Sequence, residues 1–119
     1  METRLRGKWG EEQALKYLNG KEYVTVAESF RSRFGEIDLI VQNNDFLVFV
    51  EVKLRKNADF AYAREYVGKV KQRKIVATAN YWLAAHHTKL QPRFDVIEIY
   101  ASDGENTENP EIIHIENAF

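Results

Sequence analysis

Asp38, Glu51 and Lys53 interrupt two neighbouring segments that are otherwise almost wholly apolar, residues 36–41 and 46–53. The polar stretch Gln42, Asn43, Asn44 and Asp45 between them predicts an antiparallel hairpin. Side chains alternate across a strand, so Glu36, Asp38 and Ile40 are expected on one face and Ile37, Leu39 and Val41 on the other. On the second strand Leu47, Phe49, Glu51 and Lys53 share a face, opposite Phe46, Val48, Val50 and Val52. The run from Leu47 to Val50 is apolar on both faces, which implies a central strand covered on both sides. Two carboxylates about 5 to 7 Å apart there repel by roughly 2 to 3 kcal/mol at an effective dielectric of about 20, a large share of a small domain's stability. Charges in such a place need partners or a ligand.

A third carboxylate accompanies them. Residues 7–18 read as a helix stopped by Gly20, and Glu11 sits in the middle of its apolar stripe of Ala14, Leu15 and Leu18, while Glu12 turns to solvent. Glu11, Asp38 and Glu51 against Lys53 leave two negative charges, which one divalent cation would neutralise. The chain has no cysteine, so thiolate metal sites, disulfides and cysteine nucleophiles are excluded. Oxygen donors alone favour Mg²⁺ or Mn²⁺. His86 and His87 point about 100° apart at a helix end, a poor chelating pair. His114 alternates with isoleucines and reads as structural, Tyr81 and Trp82 read as packing residues, and Trp9 is open between packing and stacking.

The elements that position these residues follow from pattern. Residues 23–30 suit a strand, 31–34 a basic turn, 67–86 a helix with Gly68, Gln72, Ile75, Val76, Ala79 and Leu83 at spacings of three and four, 93–100 a strand, and 111–116 an edge strand after a polar loop. The order αβββαβ(β) predicts an α/β fold, a mixed sheet flanked by helices with one parallel crossover. With 119 residues the expectation is one domain, 1–119. The longest apolar run, Phe46 to Val50, is far short of a membrane span, and Arg4, Arg6 and Lys8 lead into no apolar signal core, so a cytoplasmic protein without membrane contact is expected. The net charge of -1 conceals a basic middle: from Lys53 to Lys74 eight basic residues face only Asp59 and Glu65. Such a run is either a solvated helix face or a phosphate-tracking surface.

Asp38, followed after twelve residues by Glu51-Val52-Lys53, resembles the PD-(D/E)xK motif of restriction-endonuclease-like nucleases. The wider frame is more specific: GKWGEEQALKYL (7–18), FRSRFGEIDLI (30–40), VFVEVKLR (48–55), VKQRK (70–74) and RFDVIEI (93–99) are similar to the YraN family of predicted endonucleases, itself similar to the archaeal Holliday junction resolvases. The resemblance covers essentially the whole chain. It implies a restriction-endonuclease-like αβββαβ core, metal binding by Asp38 and Glu51, a catalytic role for Lys53, and Glu11 as the first-helix carboxylate. Ile37 stands where the motif's name has proline, which is usual for the YraN pattern.

On that footing the expectation is a phosphodiesterase acting on nucleic acid, DNA foremost. Asp38, Glu51 and the Val52 carbonyl would hold Mg²⁺ or Mn²⁺, Glu11 would bind a second ion or a metal-bound water, and Gln72 would position the substrate phosphate. Arg31, Arg33, Arg55, Lys69, Lys71, Arg73 and Lys74 would track the backbone without reading sequence, which suits recognition of a branch or junction. Symmetric cutting of a junction would call for a homodimer. The rival expectation is a binding module of the same fold that grips nucleic acid without cutting it, and an RNA-directed nuclease would share the chemistry.

Overall fold

The computed structural model describes residues 3–56 and 67–119, with side chains from residue 7 onward; the middle of the basic run, 57–66, lies outside the described residues. Helix α1 (Thr3–Gly20) precedes strands β1 (Val24–Ser32), β2 (Gly35–Gln42) and β3 (Phe46–Arg55), then helix α2 (Lys69–Ala85), strand β4 (Gln91–Tyr100), a single 3₁₀ turn (Gly104–Asn106) and strand β5 (Glu111–Ile115). The strands form one sheet in the order β1-β2-β3-β4-β5. β3 is central, and it pairs in parallel only with β4, across the crossover through α2. The other three pairings are antiparallel. This is the expected α/β architecture with an αβββαβ core.

Each helix covers one face of the sheet. Ala14 and Leu18 of α1 close over Leu39, Val41, Val48, Val50, Ile97 and Ile99. On the opposite face Ile75 and Ala79 of α2 pack with Ile40, Leu47, Phe49 and Val96. Alternation along β3 holds as expected, which is why one strand can feed two cores. Along β2 it fails once: Ile37 joins Ile40 under α2 instead of following Leu39 and Val41. The cause lies next door. Ser29, level with Asp38 on β1, has φ 51°, and a left-handed residue within a strand rotates the chain beyond it, so that Phe30 and its partner Ile37 both turn towards α2.

Two further expectations are refined. Gly20 ends α1 but is not its left-handed residue. That role falls to Glu22, φ 70°, with Tyr23 N–H donating to Leu18 O at 3.0 Å and Glu22 N–H to Asn19 O at 3.1 Å, the double bond pattern that satisfies the last carbonyls of a helix. The buried stripe of α2 is Ile75, Thr78 and Ala79. Val76, expected inside, faces out.

The α1 face also carries a charge network. Asp95 of β4 is fully buried and accepts from Arg93 Nε at 2.8 Å and Nη2 at 2.7 Å, and from Asn117 N–H at 3.0 Å, while His114 Nε2 lies 2.7 Å from Oδ2. Arg93 Nη2 also donates to Tyr23 Oη at 2.7 Å. His114 is therefore structural, as expected. Burial alone would raise the Asp95 carboxyl, but His114, Arg93 and the Asn117 N–H outweigh it and hold it below the usual 3.8. Stability from a carboxyl lowered on folding is present above its unfolded pKa and is lost as pH falls through the folded one. Asp95→Ala leaves the buried Arg93 without its partner, and we expect it to cost about 3 to 5 kcal/mol in urea denaturation at neutral pH.

Candidate functional site

β2 and β3 part at Asp38. Their ladder runs from Gln42↔Leu47 to Leu39↔Val50 and ends there. At the next position the Asp38 side chain takes over from the backbone, Oδ2 accepting the Val52 N–H at 2.8 Å. A charge-assisted bond of this kind is stronger than the amide bond it replaces. On its other edge β2 stays paired with β1 as far as Ser32↔Gly35, so its end remains in the sheet while leaving β3. The opening is a cleft of about 220 Å³ lined by Gly35, Glu36, Asp38, Glu51, Lys71, Lys74 and Ile75.

Glu51 is only 6% exposed. Its Oε1 lies 2.7 Å from Lys71 Nζ and 3.9 Å from Lys53 Nζ. Burial first, then the charge of Glu51, pushes the Asp38 carboxyl up to about 7, against the lowering effect of the Val52 N–H and Lys71. Burial, then the adjoining Lys71, pulls Lys53 down to about 8. Lys71 moves the other way: burial lowers it, but its contact with the Glu51 carboxylate prevails and raises it. One lysine is thus fixed as a cation on Glu51, and the other is left able to exchange a proton near neutral pH.

Glu11 reaches this region from α1. Its Oε1 accepts the Ser29 hydroxyl at 3.3 Å, so the left-handed residue that twists β1 also anchors the first-helix carboxylate. Burial raises the Glu11 carboxyl, Ser29 lowers it, and Glu36, Glu28 and Glu51 add to the rise. Glu11 nevertheless stands apart. Among the described residues no three acidic or imidazole groups gather closely enough to hold one ion together.

The remaining predicted site residues divide. Lys71 belongs to the cleft rather than to a free basic face, and Lys74 lines its mouth. Gln72 does not reach the cluster. Its Nε2 donates to Val67 O at 2.6 Å, which ties down the start of α2, and it borders a second cleft with Lys69 and Arg73. Arg31 is exposed and 3.5 Å from Glu36. The Arg33 guanidinium lies 4.9 Å over the Phe34 ring. Arg55 turns inward, its Nε 4.0 Å from Oε2 of the buried Glu98. Sequence reasoning missed the contact of Lys71 with Glu51, the anchoring role of Ser29, and Glu98. Glu98 was detectable, because it interrupts the run from Val96 to Ile99 as Glu51 interrupts its own.

The sheet order and the split hairpin define an α/β protein whose central strands present Asp38 and Glu51 to a cleft that Lys71 and Lys74 of α2 also line. The chain belongs to the family described as "Uncharacterised protein family UPF0102", whose model matches residues 10–99. It is similar to a UPF0102 protein of Persephonella marina, 40% identical over 97% of this chain and 93% of that protein. A UPF0102 protein of Clostridioides difficile is 38% identical over the full length of both, and one of Psychromonas ingrahamii is 43% identical over 79% of this chain and 77% of that protein.

The raised Asp38 carboxyl has a measurable consequence. Its folded pKa of about 7 lies above the ordinary 3.8, so the folded state holds the proton more tightly and stability falls as pH rises between those values. Asp38→Asn keeps the shape without the charge. In the absence of metal it should flatten that decline and stabilise the protein at pH 8 by on the order of 1 to 3 kcal/mol, read from urea midpoints at a series of pH values.

Proposed function

We propose that this protein is a metal-dependent endonuclease of the restriction-endonuclease-like, PD-(D/E)xK type, hydrolysing phosphodiester bonds of nucleic acid, with branched or structured DNA as the leading substrate. The observation that carries the reading is the opening of the hairpin at Asp38, which brings Asp38 level with Glu51 beside a half-buried lysine lowered to about 8. Perturbed titration of several groups in one cleft is the usual mark of a site built for chemistry.

The donor set suits a hard divalent cation. Asp38 and Glu51 offer oxygen only, and burial followed by the charge of Glu51 makes an ionised Asp38 costly until a cation joins it. Asp38, Glu51 and the Val52 carbonyl would hold the ion, with Glu11 reaching it through water. When bound, Mg²⁺ or Mn²⁺ supplies Lewis-acid polarisation of a phosphate oxygen and an acidified water. The Asp38 bond to Val52 N–H fixes one carboxylate oxygen and leaves the other for a ligand. Lys53 Nζ orients the attacking water and stabilises negative charge developing on phosphate. Lys71, exposed along nearly half of its side chain, would exchange its contact with Glu51 for a phosphate oxygen once a metal takes over the Glu51 charge. Lys74 and Arg33 extend positive charge from the cleft mouth.

The salt bridge of Lys71 to Glu51 favours a second reading. It neutralises Glu51 without any metal, as expected of a binding module whose acidic cluster is structural. One experiment separates the two: cleavage of branched, duplex and single-stranded DNA and RNA with Mg²⁺, with Mn²⁺ and with chelator, by wild type and by Lys53→Met purified identically. Lys53→Met keeps most of the aliphatic stem but removes the cation. The nuclease reading expects metal-dependent cutting by wild type and a loss of at least about 100-fold in the variant, with folding and binding retained. Equal cutting by both would assign the activity to a contaminant, and no cutting by either would leave the binding module.

Metal binding can be checked without activity. Millimolar Mn²⁺ or Mg²⁺ should raise the melting temperature of wild type, because a ligand of the folded state alone stabilises it by mass action, and Asp38→Asn should abolish the rise.

A further inference from the structure

Next to the cleft lies an aromatic surface that the reaction chemistry does not use. Tyr81 was expected to pack, yet it is 54% exposed, and Phe34 in the β1–β2 turn is 38% exposed. Their ring centroids are 6.4 Å apart at 62°. A second layer supports them: Phe30 stacks on Tyr81 at 6.3 Å and 30°, and Trp82 meets Phe30 edge-on at 5.1 Å and 81°. Single exposed aromatics are common on protein surfaces. Two in contact, backed by two more, are a built platform.

The platform is joined to the cleft. A Cβ on Gly35 would sit 3.4 Å from Lys74 Cβ and Thr78 Oγ1, at van der Waals contact, so the turn lies directly against α2. Ser32 Oγ donates to Thr78 Oγ1 at 3.3 Å, pinning it there. Gly35 and Lys74 both line the cleft. Tyr81 lies about two helical turns beyond Lys74, roughly 10 Å along α2, which matches the rise of about three stacked nucleotides. Its charge is cationic, with the Arg33 guanidinium over Phe34 and Lys74 between the rings and the carboxylates.

Exposed aromatic side chains flanked by cations fit one chemical partner. The faces of a base inside a duplex are covered by its neighbours, whereas an unpaired base has a free π-face and a phosphate on either side. We propose that Phe34 and Tyr81 form a stacking platform for unpaired bases, so that the cleft receives nucleic acid in which a single-stranded segment adjoins the scissile phosphate. This rests on the nuclease reading and names the form of substrate it takes. Stacking is indifferent to base identity, so the preference is for structure and not for sequence.

The test measures binding in chelator, where no cutting occurs, by anisotropy of labelled oligonucleotides: a single strand, a blunt duplex and a duplex with a single-stranded overhang. Phe34→Ala combined with Tyr81→Ala should weaken binding of the single strand and the overhang by at least about 10-fold, the scale of losing one or two base stacks. Blunt duplex should change by less than about 2-fold. Tyr81→Trp, which keeps a stacking face, should retain wild-type preference, and Phe34→Leu, which keeps apolar bulk without a ring, should not. Equal losses on all three ligands, or a preference unaffected by either ring, would overturn the platform. Failure of the nuclease reading looks different: a protein that binds with this preference but never cuts keeps the platform and loses the enzyme, whereas one that cuts normally without both rings keeps the enzyme and loses the platform. Absence of binding to every nucleic acid would overturn both.

Discussion

The bond from Val52 N–H to Asp38 Oδ2 is the constraint on which the site depends. A hairpin paired to its end has no room for a ligand between its strands, and one that simply frays leaves a backbone donor without a partner, at a cost of about 1 to 3 kcal/mol. Asp38 resolves the conflict by serving as the acceptor that the missing β2 backbone would have supplied. The strands diverge without an orphaned N–H, and the carboxylate is fixed at the point of divergence. Removing the acceptor therefore does more than remove a charge, because it reopens the question of where β2 ends.

The surroundings follow from that divergence. Past Asp38 the Gly35 end of β2 keeps β1 as its strand partner, whose own Ser29 is left-handed. The resulting twist sends Phe30 and Ile37 towards α2 and sets the Ser29 hydroxyl on Glu11. A single local irregularity thus positions the first-helix carboxylate, seats the second aromatic layer and lets the β1–β2 turn approach Thr78. Strained positions inside strands gather where a side chain must be re-aimed, and this one re-aims two.

The order of elements, the central place of β3 and the shared face of Glu51 and Lys53 were legible in sequence, because hydrophobic alternation reports which residues a sheet buries. The places where that reasoning failed have one cause. Ile37 changed faces because of a backbone angle at Ser29, and nothing in the types of residues 23–30 marks a left-handed serine. Lys71 was assigned to a basic surface because its contact with Glu51 depends on how α2 is rotated over the sheet. Gln72 was given to the substrate on the same grounds, although it satisfies Val67 O at its own helix start. Placement within an element was readable, but the docking of one element on another was not.

The two faces of the sheet hold aspartates of opposite character. Asp95 is buried under α1 with Arg93, His114 and the Asn117 N–H all directed at it, and its carboxyl is held low. Asp38 faces α2 with one backbone donor and a second carboxylate beside it, and its carboxyl is pushed to about 7. Both are carboxylates in one small sheet, so residue type does not separate them. The environment does: the first is surrounded by donors that outweigh its burial, while the second is buried beside Glu51 with one backbone N–H to hold it, so burial prevails and raises its carboxyl. A chain able to surround Asp95 so completely has the means to neutralise Asp38 as well. Two ammonium groups lie against Glu51 instead, Lys71 at 2.7 Å and Lys53 at 3.9 Å, and Asp38 is left to accept from the Val52 N–H.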